Sequence, residues 1–265
     1  WPYPPGHDMD ARDLLLRGFQ VSRLLRLVAD LGVADRIAPE ACIQVAELAE
    51  ACAVRPEQLL RVLRALAAFG IFRVSAQGDV AHTPRSRLLR RDSPKSLHHA
   101  ARFWTAAGSW QAWGRLDNAL RGGNPHEAAT GAHRFAYLRQ NPAEARLFDA
   151  MMARAPADRH AAIAEAYDFS QSRLVADVGG GSGATLREIL KRHPACRGLL
   201  FDRDDVIANL TPEDLLAGRI EARGGDFFEA VPRGAAVYGL VCVLHNSGAA
   251  DCPRLRRARG AALEE

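Results

Sequence analysis

A run of glycines lies between a strand-like segment and a helix-like segment in the second half of the chain. The strand-like run Leu174–Val178, apolar except for Asp177, precedes Gly179-Gly180-Gly181-Ser182-Gly183, and a helical pattern runs from Ala184 to Leu190. Glycines in such a turn permit positive φ angles and let a ligand approach the backbone, while the helix N-terminus offers free N–H groups. The pattern therefore predicts a nucleotide-like ligand at this turn.

Two ligand classes fit the glycine spacing. The turn satisfies G-x-G-x-x-A, and Asp202 follows about 20 residues later, as in dinucleotide-binding proteins. Asp177, however, stands two residues before the first glycine, where a carboxylate would repel a pyrophosphate but would suit the sulfonium and ammonium groups of S-adenosylmethionine (SAM). Asp226 and Phe227 add a third carboxylate and a ring for adenine, so SAM is favoured and a nicotinamide cofactor stays the alternative.

The C-terminal part of the chain alternates short strand-like runs with helical ones. This alternation predicts an α/β fold with a parallel, doubly wound, Rossmann-like sheet. The strand-like runs are Leu174–Val178, Leu199–Asp202, Ile220–Ala222 and Val237–Leu244.

The N-terminal part predicts a mainly helical winged-helix domain. Its pattern is a long amphipathic helix from Ala11 to about Leu31, two further helices and then a hairpin. The later helices cover Gln44–Cys52 and Pro56 to about Phe69, and the hairpin strands cover Ile71–Val74 and Val80–Thr83. The next segment, 96–166, reads as helical with one break at Gly122–Pro125, so we expect three domains: 1–95, 96–166 and 167–265.

Composition narrows the possible partners. A net charge of +4 over 265 residues is mild, which argues against nucleic acid as the partner. The five cysteines show no C-x-x-C spacing, so we expect neither a metal site nor a disulfide framework, and a reducing cytoplasm fits best. No apolar run approaches the ~18 residues needed to span a bilayer, so we expect no membrane association.

The motifs taken together resemble the class I O-methyltransferases that act on plant phenylpropanoids and bacterial polyketides. The matching segments are Asp177–Gly183, Leu200–Asp202, Gly224–Phe228 and Val243–His245. The resemblance implies SAM as cofactor, held by Gly179, Asp202 and the adenine-binding pair Asp226 and Phe227; we add Asp177 and Gly181 from the same turn. It also implies that the 1–95 domain forms a homodimer.

The resemblance also indicates where chemistry occurs. In that family a histidine after the fourth strand takes the proton of the acceptor hydroxyl as its oxygen attacks the methyl group, and His245 holds that position. Asn246 and Ser247 follow where the family usually has Asp-Trp, and we assign Asn246 to substrate binding. The sequence ends at Glu265 where the family continues with three more strands, so we expect the C-terminal strands to be missing.

The acceptor site and the rival functions depend on the helical middle and on the winged helix. Aromatic and methionine side chains suit a planar aromatic acceptor, and the candidates are Phe103, Trp104, Phe148, Met151 and Met152. A SAM-binding hydroxylase or decarboxylase that does not methylate is one alternative function. A SAM-sensing DNA-binding regulator, using Arg61 and Arg64, is a second one, but the apolar circumference of that helix favours a protein interface.

Overall fold

The computed structural model describes residues 11–153 and 157–244 and divides into two compact units, Trp1–Met151 and Met152–Glu265. The first unit begins with five helices and three short strands. In chain order these are α1 (Ala11–Asp30), α2 (Val33–Arg36), β1 (Cys42–Gln44), α3 (Val45–Ala51), α4 (Pro56–Ala67), β2 (Arg73–Val74), β3 (Asp79–Ala81) and α5 (Pro84–Arg87).

The strands of this unit form an antiparallel sheet in the order β1-β3-β2, with Val80 of β3 opposite Ile43 and Val74. The winged-helix pattern holds, but β1 was not predicted and the hairpin strands are shorter than expected. Phe72 is fully buried and adopts a φ of 70°, so it turns the chain before β2 can begin. The core under the sheet includes Leu48, Leu63 and Phe72.

The helical middle is broken more often than its sequence predicts. Rather than one break at Gly122–Pro125, the described part of 96–166 contains seven helices. They are α6 (His98–Phe103), α7 (Ala107–Trp113), α8 (Asp117–Leu120), α9 (Pro125–Thr130), α10 (Arg134–Gln140), α11 (Pro142–Ala153) and α12 (Ala157–Ala166). One reason is local: Ala106 at the start of α7 has extended backbone angles, and Asn141 after α10 leaves the helical region.

The second unit is the predicted doubly wound α/β sheet. After α12 it contains β4 (Leu174–Val178), α13 (Ala184–Arg192), β5 (Arg197–Asp202), α14 (Asp204–Ile207), a 3-10 turn (Leu216–Gly218), β6 (Ile220–Gly224) and β7 (Val237–Gly239). All pairings are parallel, in the order β6-β5-β4-β7. The strand order reverses at β4, and ligands of such sheets bind at the carboxyl ends beside this switch point. The glycine turn lies at that end of β4.

The fourth predicted strand, Val237–Leu244, is wrong beyond Gly239. Only three residues of this apolar run pair with β4, and the chain then turns, with Cys242 at a φ of 58°. Val243 is nevertheless buried, because it packs against Gly179. An apolar run can thus be buried along a path other than a strand.

Candidate functional site

The glycine turn is closely packed at Gly179 and open at Gly181. Gly179 has a φ of 71°, and a Cβ built there would lie 2.7 Å from Val243 Cγ2. Gly181 has a φ of 57°, and a Cβ there would meet no heavy atom within 4 Å. The turn therefore leaves space beside Gly181, where backbone groups can meet a ligand.

The Asp202 carboxylate reaches the turn from the neighbouring strand. Because Val178 pairs with Phe201, the end of β5 stands beside the first glycine, and the Gly179 amide donates to the Phe201 carbonyl at 2.7 Å. Asp202 is 7% exposed and accepts two hydrogen bonds, from the amides of Gly181 and Arg203, each at 2.8 Å. A carboxylate has about four acceptor positions, so Asp202 can still accept from hydroxyl groups of a ligand.

The Asp177 carboxyl lies under the turn and is almost fully buried. Its Oδ2 comes within 2.6 Å of where a Cβ on Gly180 would be, and its Oδ1 has no hydrogen-bond partner among the described residues. Burial, and secondarily the charge of Asp202, raise the pKa of Asp177 to about 7. An ionised carboxylate buried in this way is costly unless a cation accompanies it. The site therefore fits a cationic ligand such as SAM.

Asp226 and Phe227 follow β6 and lie at the same edge of the sheet. The Gly225 amide donates to the Asp202 carbonyl at 3.0 Å, which fixes the start of this segment. Asp226 is exposed and caps its own turn by accepting from the Phe228 amide at 2.8 Å. The half-buried Phe227 ring lies 3.5 Å from where a Cβ on Gly179 would be. The carboxyl end of the sheet thus brings Asp177, Gly179, Gly181, Asp202 and Phe227 together.

One polar contact at this turn was missed by sequence reasoning. His160 of α12 is half-buried, and its Nδ1 lies 2.8 Å from Thr185 Oγ1 in the first turn of α13. Burial lowers the pKa of His160, so the ring is neutral near neutral pH. The signal in the sequence was a polar Thr185 beside Leu186 on the apolar face of α13.

Three of the expected acceptor residues form one aromatic cluster in the first unit. The Phe103 ring centroid lies 5.3 Å from those of Trp104 and Phe148, and Phe135 extends the cluster at 5.9 Å from Phe148. Phe103 is 1% exposed and supports the others, whereas Trp104 is 48% exposed.

The other expected acceptor and catalytic residues have different outcomes. Met151 and Met152 are half-buried in the last turn of α11. His245 and Asn246 lie outside the described residues.

Within the described ranges no three His, Cys, Asp or Glu side chains are grouped as metal ligands. No helix in those ranges is long and apolar enough to cross a bilayer.

Comparison with known proteins places the chain in a family. The O-methyltransferase dimerisation domain matches residues 14–92, and the O-methyltransferase domain matches residues 113–264. The 3-amino-4-hydroxybenzoate 4-O-methyltransferase of Streptomyces cremeus is 35% identical over 246 residues, which are 91% of this chain and 67% of that protein.

Solved structures agree in fold. Human N-acetylserotonin methyltransferase in complex with SAM superposes with a TM-score of 0.86 at 25% identity, over 98% of this chain and 78% of its own. An O-methyltransferase from neocarzinostatin biosynthesis, in complex with SAM and 2-hydroxy-5-methyl naphthoic acid, has a TM-score of 0.77 at 27% identity, over 97% of this chain and 79% of its own. With both the dimerisation domain and the O-methyltransferase domain matched, this chain belongs to the SAM-dependent O-methyltransferases.

Proposed function

We propose that this enzyme transfers the methyl group of SAM to a hydroxyl of a small aromatic natural product. The observation that carries the proposal is the buried Asp177 carboxyl, whose Oδ1 has no partner among the described residues and whose ionised form would be stabilised by a cation beside it. The relatives support an aromatic acceptor, since one is named for a hydroxybenzoate and another was solved with a naphthoic acid.

The residues at the carboxyl end of the sheet would hold the cofactor. Asp177 would face its positive charge, and the backbone at Gly179 and Gly181 would allow close approach. Asp202 would accept from ribose hydroxyls, and Asp226 with Phe227 would bind adenine. When bound, SAM supplies an electrophilic methyl group. The task of the protein is then to hold that methyl group and the acceptor oxygen in line, and such positioning can contribute ~7–11 kcal/mol.

We assign the acceptor to the aromatic cluster of the first unit, together with Met151, Met152 and Asn246. A planar ring would stack on Trp104, whose ring is the exposed one in the cluster. Phe103 and Phe148 would support that ring from behind.

We propose His245 as the general base. Full proton transfer from a phenol to an unperturbed imidazole is uphill by roughly 3.5 pKa units, about 5 kcal/mol, so His245 would accept the proton during attack rather than before it. We expect His245→Ala to slow methylation and to leave SAM affinity, measured by calorimetry, nearly unchanged. Lost SAM affinity in that variant would overturn the assignment.

One assay separates methyl transfer from the alternative of a SAM-binding hydroxylase or decarboxylase. S-adenosylhomocysteine is released in each turnover of a methyltransferase and in none of the alternative reaction. We expect its release with a panel of phenolic acceptors. Consumption of an acceptor without its release would favour the alternative function.

We further propose the division of labour along the chain: dimerisation by 1–95, an acceptor-site lid from 96–166, and cofactor binding by 167–265. Three exposed apolar side chains on α1, Leu15, Leu16 and Phe19, support a homodimer through the first domain. Leu59, Leu63 and Leu66 of α4 are buried in the core of the first unit, which favours a structural role for this helix over reading DNA. The cysteine spacing favours a cytoplasmic location.

A further inference from the structure

Arg187 of α13 contacts the glycine turn that precedes its own helix. Its Nη1 donates hydrogen bonds to the Ser182 carbonyl, to Asp214 Oδ1 at 3.0 Å and to the Asp214 carbonyl at 3.4 Å. The side chains of Arg187 and Asp214 are only 21% and 25% exposed. One nitrogen of a largely buried cation therefore joins the glycine turn to the segment between α14 and β6.

The carboxylate partner of Arg187 is itself held in place. Asp214 Oδ2 accepts from the Thr211 amide at 3.0 Å and from Thr211 Oγ1 at 2.9 Å, and the Asp214 amide donates to Thr211 Oγ1 at 3.3 Å. The two carboxylate oxygens thus serve different partners. Because one partner is fixed and both side chains are partly buried, this ion pair loses less to solvent screening and side-chain entropy than an exposed pair.

The Ser182–Gly183 peptide group is held at both of its polar atoms. The Gly183 amide donates to the Gly180 carbonyl at 2.9 Å, and the Ser182 carbonyl accepts from Arg187. Gly183 adopts a φ of 76°, and glycine has a wide choice of backbone angles, so the turn residues do not fix this peptide by themselves. Arg187 therefore fixes the orientation of the peptide from which α13 begins.

Arg187 supports the turn where protein already packs against it. A Cβ at Gly183 would lie 3.2 Å from Leu200 Cδ2 and 3.8 Å from Arg187 Nη1, and Leu200 is fully buried in β5. The open space lies two residues earlier, since a Cβ at Gly181 would meet no heavy atom within 4 Å. A ligand beside Gly181 would thus be shaped by Arg187 through the backbone.

We propose that Arg187 is a positioning residue for the cofactor: by holding the Ser182–Gly183 peptide it sets the affinity of the glycine turn for SAM without touching SAM or the acceptor. This inference rests on the proposed function, because it takes the turn as the SAM site. Arg187 takes no part in proton or methyl transfer. Its loss should therefore raise KM for SAM and leave kcat at saturating SAM, and KM for the acceptor, within about 2-fold.

The first test measures SAM affinity in variants of the full chain, by calorimetry at a temperature at which each is folded. We expect Arg187→Gln to raise the Kd for SAM roughly 10-fold, because a charge-assisted hydrogen bond is lost, and Arg187→Lys to restore part of the affinity. Arg192→Gln is the matched control, since Arg192 lies at the far end of α13 and pairs with Glu165 and Glu188, each at 2.9 Å. Unchanged affinity in Arg187→Gln, or an equal loss in Arg192→Gln, would overturn the inference.

Hydrogen exchange separates positioning from a general loss of stability. In Arg187→Gln we expect faster exchange of the amides of residues 182–186, with those of Leu199–Phe201 in β5 unchanged. Faster exchange throughout the second unit, with SAM affinity regained on cooling, would show a merely structural role.

A double substitution tests the link through Asp214. Because both changes remove the same contact, SAM should bind to Arg187→Gln/Asp214→Ala within about 2-fold of its affinity for Arg187→Gln alone. Losses that multiply would overturn the part assigned to the ion pair. If the unmodified chain does not bind SAM, the proposed function itself fails, whereas unchanged affinity in Arg187→Gln removes only the role of this arginine.

Discussion

The Gly181 amide donates a hydrogen bond to the Asp202 carboxylate at 2.8 Å, joining the middle of the glycine turn to the end of the adjacent strand. The second Asp202 oxygen accepts from the Arg203 amide, so both oxygens have a backbone donor. This carboxylate therefore orders the turn within the protein itself, so the proposed cofactor site is shaped before the cofactor binds.

Asp202→Asn should weaken both the fold and the cofactor site. An amide can present only one acceptor oxygen, so one of the two backbone N–H groups would lose its partner, at a cost of about 1–3 kcal/mol. We expect a lower free energy of unfolding and at least a 10-fold loss of SAM affinity, measured by denaturation and by calorimetry. Asp205→Asn is the control, because Asp205 is exposed and pairs with Arg203 outside the turn. Equal effects of the two substitutions would contradict this role.

The stability of the cofactor-free enzyme should fall as the pH rises towards 7. The pKa of Asp177 is raised from 3.8 to about 7 in the folded protein, so between these values the folded chain holds a proton that the unfolded chain has released. Stability from the protonated carboxyl is therefore fully present below pH 3.8 and is lost as the pH passes 7, by at most about 4 kcal/mol. Asp177→Asn should remove this component, seen as a difference between the two unfolding curves from pH 5 to 8.

SAM should reverse that dependence, because its positive charge stabilises the ionised carboxylate. We expect SAM affinity to rise with pH between about 6 and 8 in the unmodified chain and to be weaker and less pH-dependent in Asp177→Asn. Parallel pH profiles of the two proteins would rule out Asp177 as the group that senses the cofactor charge.

Alanine at two adjacent glycines should separate crowding from backbone strain. A Cβ at Gly180 would lie 2.6 Å from both Asp177 Oδ2 and Leu200 Cδ1. A Cβ at Gly181 would have no heavy atom within 4 Å, but the positive φ of this residue would strain an alanine. We expect Gly180→Ala to destabilise the fold by about 1–3 kcal/mol or more through overpacking, and Gly181→Ala by about 1 kcal/mol. Chemical denaturation measures both, and a larger loss for Gly181→Ala would contradict the packing.

A charge on α1 should weaken the proposed homodimer without harming the fold. Leu16 is 76% exposed, so Leu16→Glu removes little buried surface but places a charge in the apolar strip. We expect a dimer Kd at least 10-fold higher by light scattering coupled to size exclusion. Leu120→Glu serves as the matched control, since Leu120 is 89% exposed and lies outside the matched dimerisation domain. A monomeric unmodified chain, or two variants that dimerise equally well, would contradict this interface.

The local parts of the site could be predicted from sequence, and the parts set by tertiary packing could not. The first strand of the sheet has its predicted bounds, Leu174–Val178, because strand, glycine turn and helix follow one another directly in the sequence. The next strand ends at Asp202, as predicted. The run Val237–Leu244 was misjudged because apolar composition does not reveal where pairing with β4 stops. His160 was missed for a similar reason, since nothing in the sequence shows that it lies beside Thr185 of the next helix.

Val243 packs so closely on Gly179 that the turn has no room for even a methyl group there. Val243 also stands two residues before His245 in the chain. The glycine turn and the segment that leads to the proposed base are therefore held by the same packing contact. We therefore expect a substitution of this valine to change cofactor affinity and the rate of methyl transfer together.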